Sequence, residues 1–289
     1  MNRVYKAYPK GRHKVLTLSY DDGKVEDYRL LEILNKYNIK ATFNLNSKIV
    51  DDKHIPSDKW IELYKNHEVA VHTMTHPTIS RCSTYQIVEE LFEDKNNLEH
   101  IMQRPVRGLA FPNGSYSEDI IKLAKDLGFK YARLAQDKYA NICSAKYFAK
   151  EAEGPILIGD ENGFGIPTDY MHWIPTCHHN HHLVDLGKDF ASLIKKQYLY
   201  MMYVWGHSFE FERNNNWEVM EEFCKIIGNR DDIWYATNIE IVEYDDAFNN
   251  LRFFDRNNYV YNPNAMSVWL TINGEEVVEV KGNQTLKLF

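Results

Sequence analysis

Val15-Leu-Thr-Leu-Ser-Tyr-Asp-Asp-Gly23 decides how this chain is read. Its first six residues are a short, nearly continuous apolar run, as expected of a buried strand. Two carboxylates and a glycine follow at the point where such a strand would end. Downstream, Glu26 to Asn38 carries Leu30, Leu31, Leu34 and Tyr37 at helical spacing, and Ala41 to Leu45 reads as the next strand. A helix over about 57–66 leads to a strand at Glu68 to His72. Ser83-Thr-Tyr-Gln86 has the form of a capping box opening a helix with Ile87, Val88, Leu91 and Phe92 on one face. Val106 to Phe111 is strand-like, and Ser117 to Leu127 is a helix that Gly128 can end. Later come a helix from Leu186, a very apolar strand from Tyr198 to Trp205, a helix from Trp217 and a strand from Ile233.

Alternating strands and helices of this length predict a parallel sheet with helical crossovers, as an α/β barrel or an open α/β sheet. Beyond about Ile239 the texture changes. Runs at Ser267–Thr271, Glu276–Val280 and Thr285–Phe289 are broken by Asn273-Gly274 and Lys281-Gly-Asn283, and Asn-Gly is a strong hairpin signal. The expected organisation is a barrel over residues 1–245 and a small β-rich appendage over 246–289.

The chain has 289 residues and a net charge of −7, which argues against nucleic acid or an anionic membrane as the main partner. It opens without an apolar leader and holds no run of 18 apolar residues, so the expectation is a soluble cytoplasmic protein. Four cysteines without a CxxC pair suit reduced thiols.

The chemistry-bearing residues fall at predicted strand ends: Asp21 and Asp22 after the first, His72 and His76 after the third, and His207 after the apolar strand ending in Trp205. In an α/β barrel these ends form one mouth. Two imidazoles and a carboxylate are a ligand set for a catalytic divalent ion that keeps a position for water. One of the adjacent aspartates can bind the ion while the other acts as a base on water, whose pKa such an ion lowers from ~15.7 towards ~7. His207 can protonate a departing nitrogen. A second cluster, Cys177-His-His-Asn-His-His182, could bind metal by itself.

The segments Ser19-Tyr-Asp-Asp-Gly23, His72-Thr-Met-Thr-His76, Arg107-Gly-Leu-Ala-Phe-Pro-Asn-Gly114 and Trp205-Gly-His-Ser-Phe-Glu210 occur in the order of the polysaccharide deacetylase motifs. The chain thus resembles that family, the NodB-like homology domain or carbohydrate esterase family four, over roughly residues 12 to 240. The resemblance implies a distorted (β/α) barrel and a divalent metal, usually Zn2+, on Asp22, His72 and His76. It makes Asp21 the base, oriented by Arg107, and His207 the acid. The backbone N–H of Asn113 becomes the oxyanion donor, and Trp173, Phe111 and Trp205 line a sugar pocket. For the family's acidic fourth motif the candidates are Asp160, Asp169 and Trp173. The implied activity is removal of N-acetyl groups from an amino-sugar-containing carbohydrate. The alternatives are hydrolysis of another C–N bond, in a cyclic imide or ureide, or an inert carbohydrate-binding relative.

Overall fold

The computed structural model describes residues 2–136 and 164–289. Its centre is the strand foreseen from the apolar run: β2, Lys14–Asp21, buried along all eight residues. Burial on both sides explains why that stretch is apolar rather than alternating. Leu16, Leu18 and Tyr20 pack outward under the helices, while Val15 packs inward with Met201 and Tyr203. Ahead of it lies β1, Val4–Ala7.

Helix α1, Asp27–Lys36, buries Leu30, Leu31, Ile33 and Leu34 and returns the chain to β3, Thr42–Leu45. The expected helix over 57–66 is only a short turn and α2, Trp60–Leu63, before β4, Glu68–Val71. Helix α3, Thr84–Met102, opens on the expected capping box, with Ser83 and Gln86 exchanging side-chain and backbone bonds. There follow β5, Gly108–Ala110, α4, Glu118–Asp126, and β6, Tyr131–Arg133. The second half holds β7, Cys177–His178, α5, Leu183–Ala191, β8, Tyr200–Gly206, α6, Phe209–Arg213, α7, Trp217–Ile227, and β9, Ile233–Tyr235.

The strands form one parallel sheet in the order β6-β5-β4-β3-β2-β8-β7. One edge of β2 is shared: β9 pairs its first residues, Lys14–Leu16, and β3 its last, Ser19–Asp21. The sheet then curls on itself, because Trp173 bridges Arg133 in β6 while Cys177 and His178, a few residues on, pair with β8. This is the distorted barrel expected.

Below the amino ends of the strands runs α8, Asn238–Asn249, where the sequence reading noted only a change of texture past Ile239. Its signal was present in the sequence. Thr237 accepts from the Glu240 N–H and Glu240 reaches back to the Thr237 N–H, another capping box. The β-rich tail follows as β10, Arg252–Phe254, β11, Tyr259–Asn262, β12, Val268–Ile272, β13, Glu276–Val280, and β14, Gln284–Lys287. Asn273 and Gly274 both take positive φ, 55° and 79°, as a tight hairpin turn demands. The tail makes two three-stranded sheets, and β12 pairs with β1, so the two ends of the chain meet. No described helix is long and apolar enough to cross a membrane.

Candidate active site

Asp21 is the last residue of β2 and is 2% exposed. Its Oδ1 accepts from Asn44 Nδ2 at 2.7 Å, and its Oδ2 is paired with the guanidinium of Arg133, the last residue of β6. Burial alone would push this carboxyl up. Arg133, with His72 and His207 behind it, outweighs burial and holds it well below the usual carboxylate range. Asp21 is therefore ionised and fixed at both oxygens, as a base must be.

Asp22 and Gly23 both turn into positive φ, 78° and 65°. The turn separates the two carboxylates. Asp22 Oδ1 lies 3.7 Å from His72 Nε2 and 3.6 Å from His76 Nε2, and the three side chains could hold one ion. Donors about 2.1 Å from a tetrahedral ion stand about 3.4 Å apart, so these separations are nearly those of a liganded site. The tautomer agrees. His72 Nδ1 donates to the Ala110 carbonyl at 2.8 Å, which leaves Nε2 as a lone pair. Burial also lowers the His72 pKa to about 4, against the pull of Asp21 and Asp22, so the ring is neutral. Residue types, spacing and protonation all fit a divalent metal.

The loop carrying both histidines is strained and braced. Thr73 and His76 take φ of 63° and 58°, unusual for residues other than glycine. Helix α3 holds them from below: Asp94 accepts the Ser47 N–H at 2.7 Å and the His72 N–H at 3.3 Å, and Glu90 accepts the Thr75 N–H at 2.8 Å. From β3's exit, Asn46 Nδ2 donates to the His72 and Thr73 carbonyls at 2.6 and 2.8 Å.

His207 follows β8 directly and faces the other flank of Asp21, with Nε2 3.9 Å from Oδ2. Its Nδ1 looks at Glu210 Oε1, 3.6 Å away, an ion-pair rather than a hydrogen-bond distance. Burial would lower its pKa, but Glu210, Asp21 and Asp22 together leave it raised. Gly206 makes this loop possible, because a Cβ there would sit 2.1 Å from His179 Nδ1.

The histidine cluster converges on the same Glu210. Oε2 lies 2.9 Å from His179 Nε2, 3.2 Å from His178 Nε2 and 3.0 Å from Asn180 Nδ2. These groups lie within ligand reach of one another, yet the Asn180 N–H donates to His178 Nδ1 at 3.2 Å. That bond places the His178 hydrogen on Nε2, where it donates to Glu210 rather than offering a lone pair. The cluster is a hydrogen-bonded cradle for a carboxylate, in place of the independent metal site considered above.

Several expected positions move. Arg107 precedes β5 instead of following it, so it lies at the amino end of the barrel and pairs with Glu243 of α8. The arginine at Asp21 is Arg133. Trp173 is 1% exposed and packs edge-on against Tyr131 and Tyr203, and Phe111 is fully buried against Tyr116. Both are core, Trp173 in the inward cluster with Val15 and Tyr203 and Phe111 in the helix-covered cluster with Leu16 and Leu18. Trp205 does border the site, with its ring 4.7 Å from Arg133 Cζ and 6.0 Å from the His207 ring. Asn113 is an exposed residue at φ 56° in the turn after β5. Asp169 caps a surface turn at Met171 and bonds His172, and Asp160 lies outside the described residues. A separate cleft of about 600 Å³, lined by Lys40, His67, Glu68, Arg104 and Arg107, sits at the amino ends of the strands and holds none of the cluster.

Comparison with known proteins places this geometry. Residues 9–132 match the polysaccharide deacetylase family model. A chitooligosaccharide deacetylase of Rhizobium leguminosarum is 30% identical over 112 residues, 37% of this chain and 48% of that protein. The peptidoglycan-N-acetylglucosamine deacetylase PgdA of Listeria monocytogenes is 25% identical over 166 residues, 52% of this chain and 33% of that one. The matched region spans about half or less of the length of such curated relatives. Among solved structures, one from Mycobacterium smegmatis assigned to the polysaccharide deacetylases has a TM-score of 0.57 at 16% identity, over 85% of this chain and 94% of that one. A family 4 acetyl xylan esterase from Clostridium thermocellum, in complex with a cobalt ion, has a TM-score of 0.50 at 16% identity, over 80% and 92%. At such identities the likeness speaks for the fold, and it is residues 9–132, with their ordered motifs, that match the polysaccharide deacetylase family.

Proposed function

We propose that this protein is a metal-dependent deacetylase that hydrolyses the N-acetyl group of an amino-sugar-containing carbohydrate. One observation carries the reading: an ionised, doubly anchored Asp21 stands between a lone-pair donor set, Asp22, His72 and His76, and a histidine with a raised pKa, His207. The donor set suits Zn2+ or a related divalent ion, and the esterase neighbour's cobalt ion is in keeping with that. When bound, such an ion supplies Lewis-acid activation of water and of the amide carbonyl.

The chain's own residues do the rest. Asp21 takes the proton of the water that adds to the acetyl carbon. Arg133 and Asn44 keep its carboxylate aimed and unprotonated. The Asn113 N–H would be the donor to the developing oxyanion, a contribution worth about 3 kcal/mol in comparable hydrolases. His207 protonates the nitrogen as the C–N bond breaks, which yields acetate and a free amine. Glu210 orients and charges His207. The relatives named for chitooligosaccharide and peptidoglycan deacetylation support a sugar amide as substrate.

The test is to incubate the metal-loaded protein with N-acetylated oligosaccharides and with cyclic imides, reading acetate and ammonia. Acetate from the sugars is expected. Asp21→Asn should retain metal and lose 10²–10⁴-fold in kcat, the scale of a positioned base. His76→Ala should lose metal. Ammonia from an imide without acetate from any sugar, or full activity in His76→Ala, would overturn the reading.

A further inference from the structure

The β10–β11–β14 sheet has two unlike faces, and the register assigns every side chain to one of them. Val260, paired with Phe253 and Leu286, points inward to a small core with Leu270 and Val280. The alternate residues therefore point outward in two rows: Phe254, Tyr259 and Lys287, then Arg252, Tyr261 and Thr285. The rings of Phe254 and Tyr259 are stacked, with centroids 5.3 Å apart and planes 14° from parallel. Two residues along the strand, Tyr261 lies under the Arg252 guanidinium, whose Cζ is 6.0 Å from the ring centroid. Phe254 is 47% exposed, and Arg252, Thr285 and Lys287 are exposed as well. No carboxylate stands in either row. The nearest acid in sequence, Asp255, lies in the turn, where it accepts from Asn258.

We propose that this outer face is a second binding surface, which takes a carboxylate-bearing polysaccharide. The exposed Phe254, stacked on Tyr259, offers apolar surface to the C–H side of a pyranose ring. Arg252 and Lys287 flank the rings with no ion pair of their own among the described residues, and so match the acid groups of such a chain. That charge also decides against the other occupants. A second copy docked face to face would bring cations to a patch that has no acids, which is poor self-complementarity. Two flanking cations, without a longer run of lysines and arginines along either row, are too few to grip a nucleic-acid backbone.

The sheet is reached through β12, which pairs with β1 ahead of the first residues of β2, and Trp269 and Ala7 both bond Tyr244 of α8 beneath the barrel. Asp21 stands at the opposite end of β2, seven residues and about 23 Å from its first residue. The surface therefore retains polymer without touching the reacting amide, and its existence does not depend on the deacetylase reading.

The experiment uses the full chain in affinity electrophoresis through gels containing polygalacturonate, a neutral β-glucan, or a phosphate-bearing teichoic acid. Retardation by polygalacturonate is expected, weakening with salt. Phe254→Ala and the conservative double variant Arg252→Gln/Lys287→Gln should each weaken it roughly tenfold, with unchanged melting temperature. Acetate release from a short soluble N-acetylated oligosaccharide should stay at the wild-type rate in all of them, so failure of the surface and failure of the catalytic reading are read separately. Equal retention by the neutral glucan, retention by the phosphate polymer alone, unchanged retention in the variants, or a concentration-dependent dimer that the variants abolish would each overturn the proposal.

Discussion

Arg133 and Arg107 show how a site can be read almost correctly from residue types and still be misassigned by one. Arg107 falls inside a motif-like segment, but it precedes its strand, and a strand's two ends lie on opposite sides of the barrel. Arg133 lies in a short apolar run, where nothing except the oddity of a cation at a buried strand's end marks it. The expected outcome is asymmetric. Arg107→Met loses an exposed pair worth under about 1 kcal/mol and should leave acetate release within about twofold. Arg133→Met strips the counter-charge from buried Asp21, which destabilises by about 3–5 kcal/mol and allows burial to raise the base's pKa. Its kcat at neutral pH should fall on the order of 10²-fold, with the acid limb of the pH profile moved up. The reverse pattern would restore Arg107 to the site. Glu210 makes a second residue-scale prediction. A general acid must be protonated, so activity falls as pH rises through the His207 pKa. Burial would lower that pKa, and Glu210 is the first of the groups that raise it. Glu210→Gln should therefore shift the alkaline limb of kcat/KM to lower pH. A limb that stays in place while the melting temperature drops would reduce Glu210 to a structural part. The glutamate was visible in the sequence as the end of the His207 segment. The folding of His178, His179 and Asn180 onto it was not, because that convergence depends on β7 pairing with β8.

At the scale of elements, the strand ends were legible and their supports were not. Periodicity identified α3 by Ile87 and Leu91, yet the same buried side carries Glu90 and Asp94, 8% and 0% exposed. Two acids on an apolar helix face are the available signal, and a buried acid needs partners. Those partners are the N–H groups of the strained histidine loop and of Ser47. Asp94→Ala removes both acceptors and should cost about 1–3 kcal/mol in denaturant melts of the metal-free protein. It should also weaken metal binding by roughly 10–100-fold, the usual effect of releasing a ligand's support. Burial raises the Asp94 pKa to about 7, so the group need not be charged to accept these bonds. Asp94→Asn keeps one acceptor and should recover much of both losses. Unchanged metal affinity in Asp94→Ala, with stability alone reduced, would mean that α3 supports the barrel and not the site.

For the molecule as a whole, alternation of strands and helices specified a parallel sheet with helical crossovers, because each βα unit carries its own local pattern, and the family resemblance supplied its closing into a barrel. The relation of the tail to the barrel has no local pattern, since β12 finds its partner in β1, over 260 residues away, at Val4 against Ile272. The expected boundary after residue 245 falls within α8, whose Ile241, Val242 and Tyr244 pack under the barrel beside Val15 and Met201. We infer that the tail is a fixed floor rather than a detachable unit. Ending the chain at residue 245 would cut α8 short, leave β1 as an unpaired edge, and remove the Trp269 N–H that bonds Tyr244. The cluster of Val260, Leu270 and Val280 would go with the tail, and Val4 of β1 would lose its packing there. The truncated chain should therefore be insoluble, or soluble without near-ultraviolet circular dichroism and without a cooperative melt. A truncated protein that melts cooperatively within a few degrees of the full chain, and still binds its metal, would show that the barrel closes without its floor.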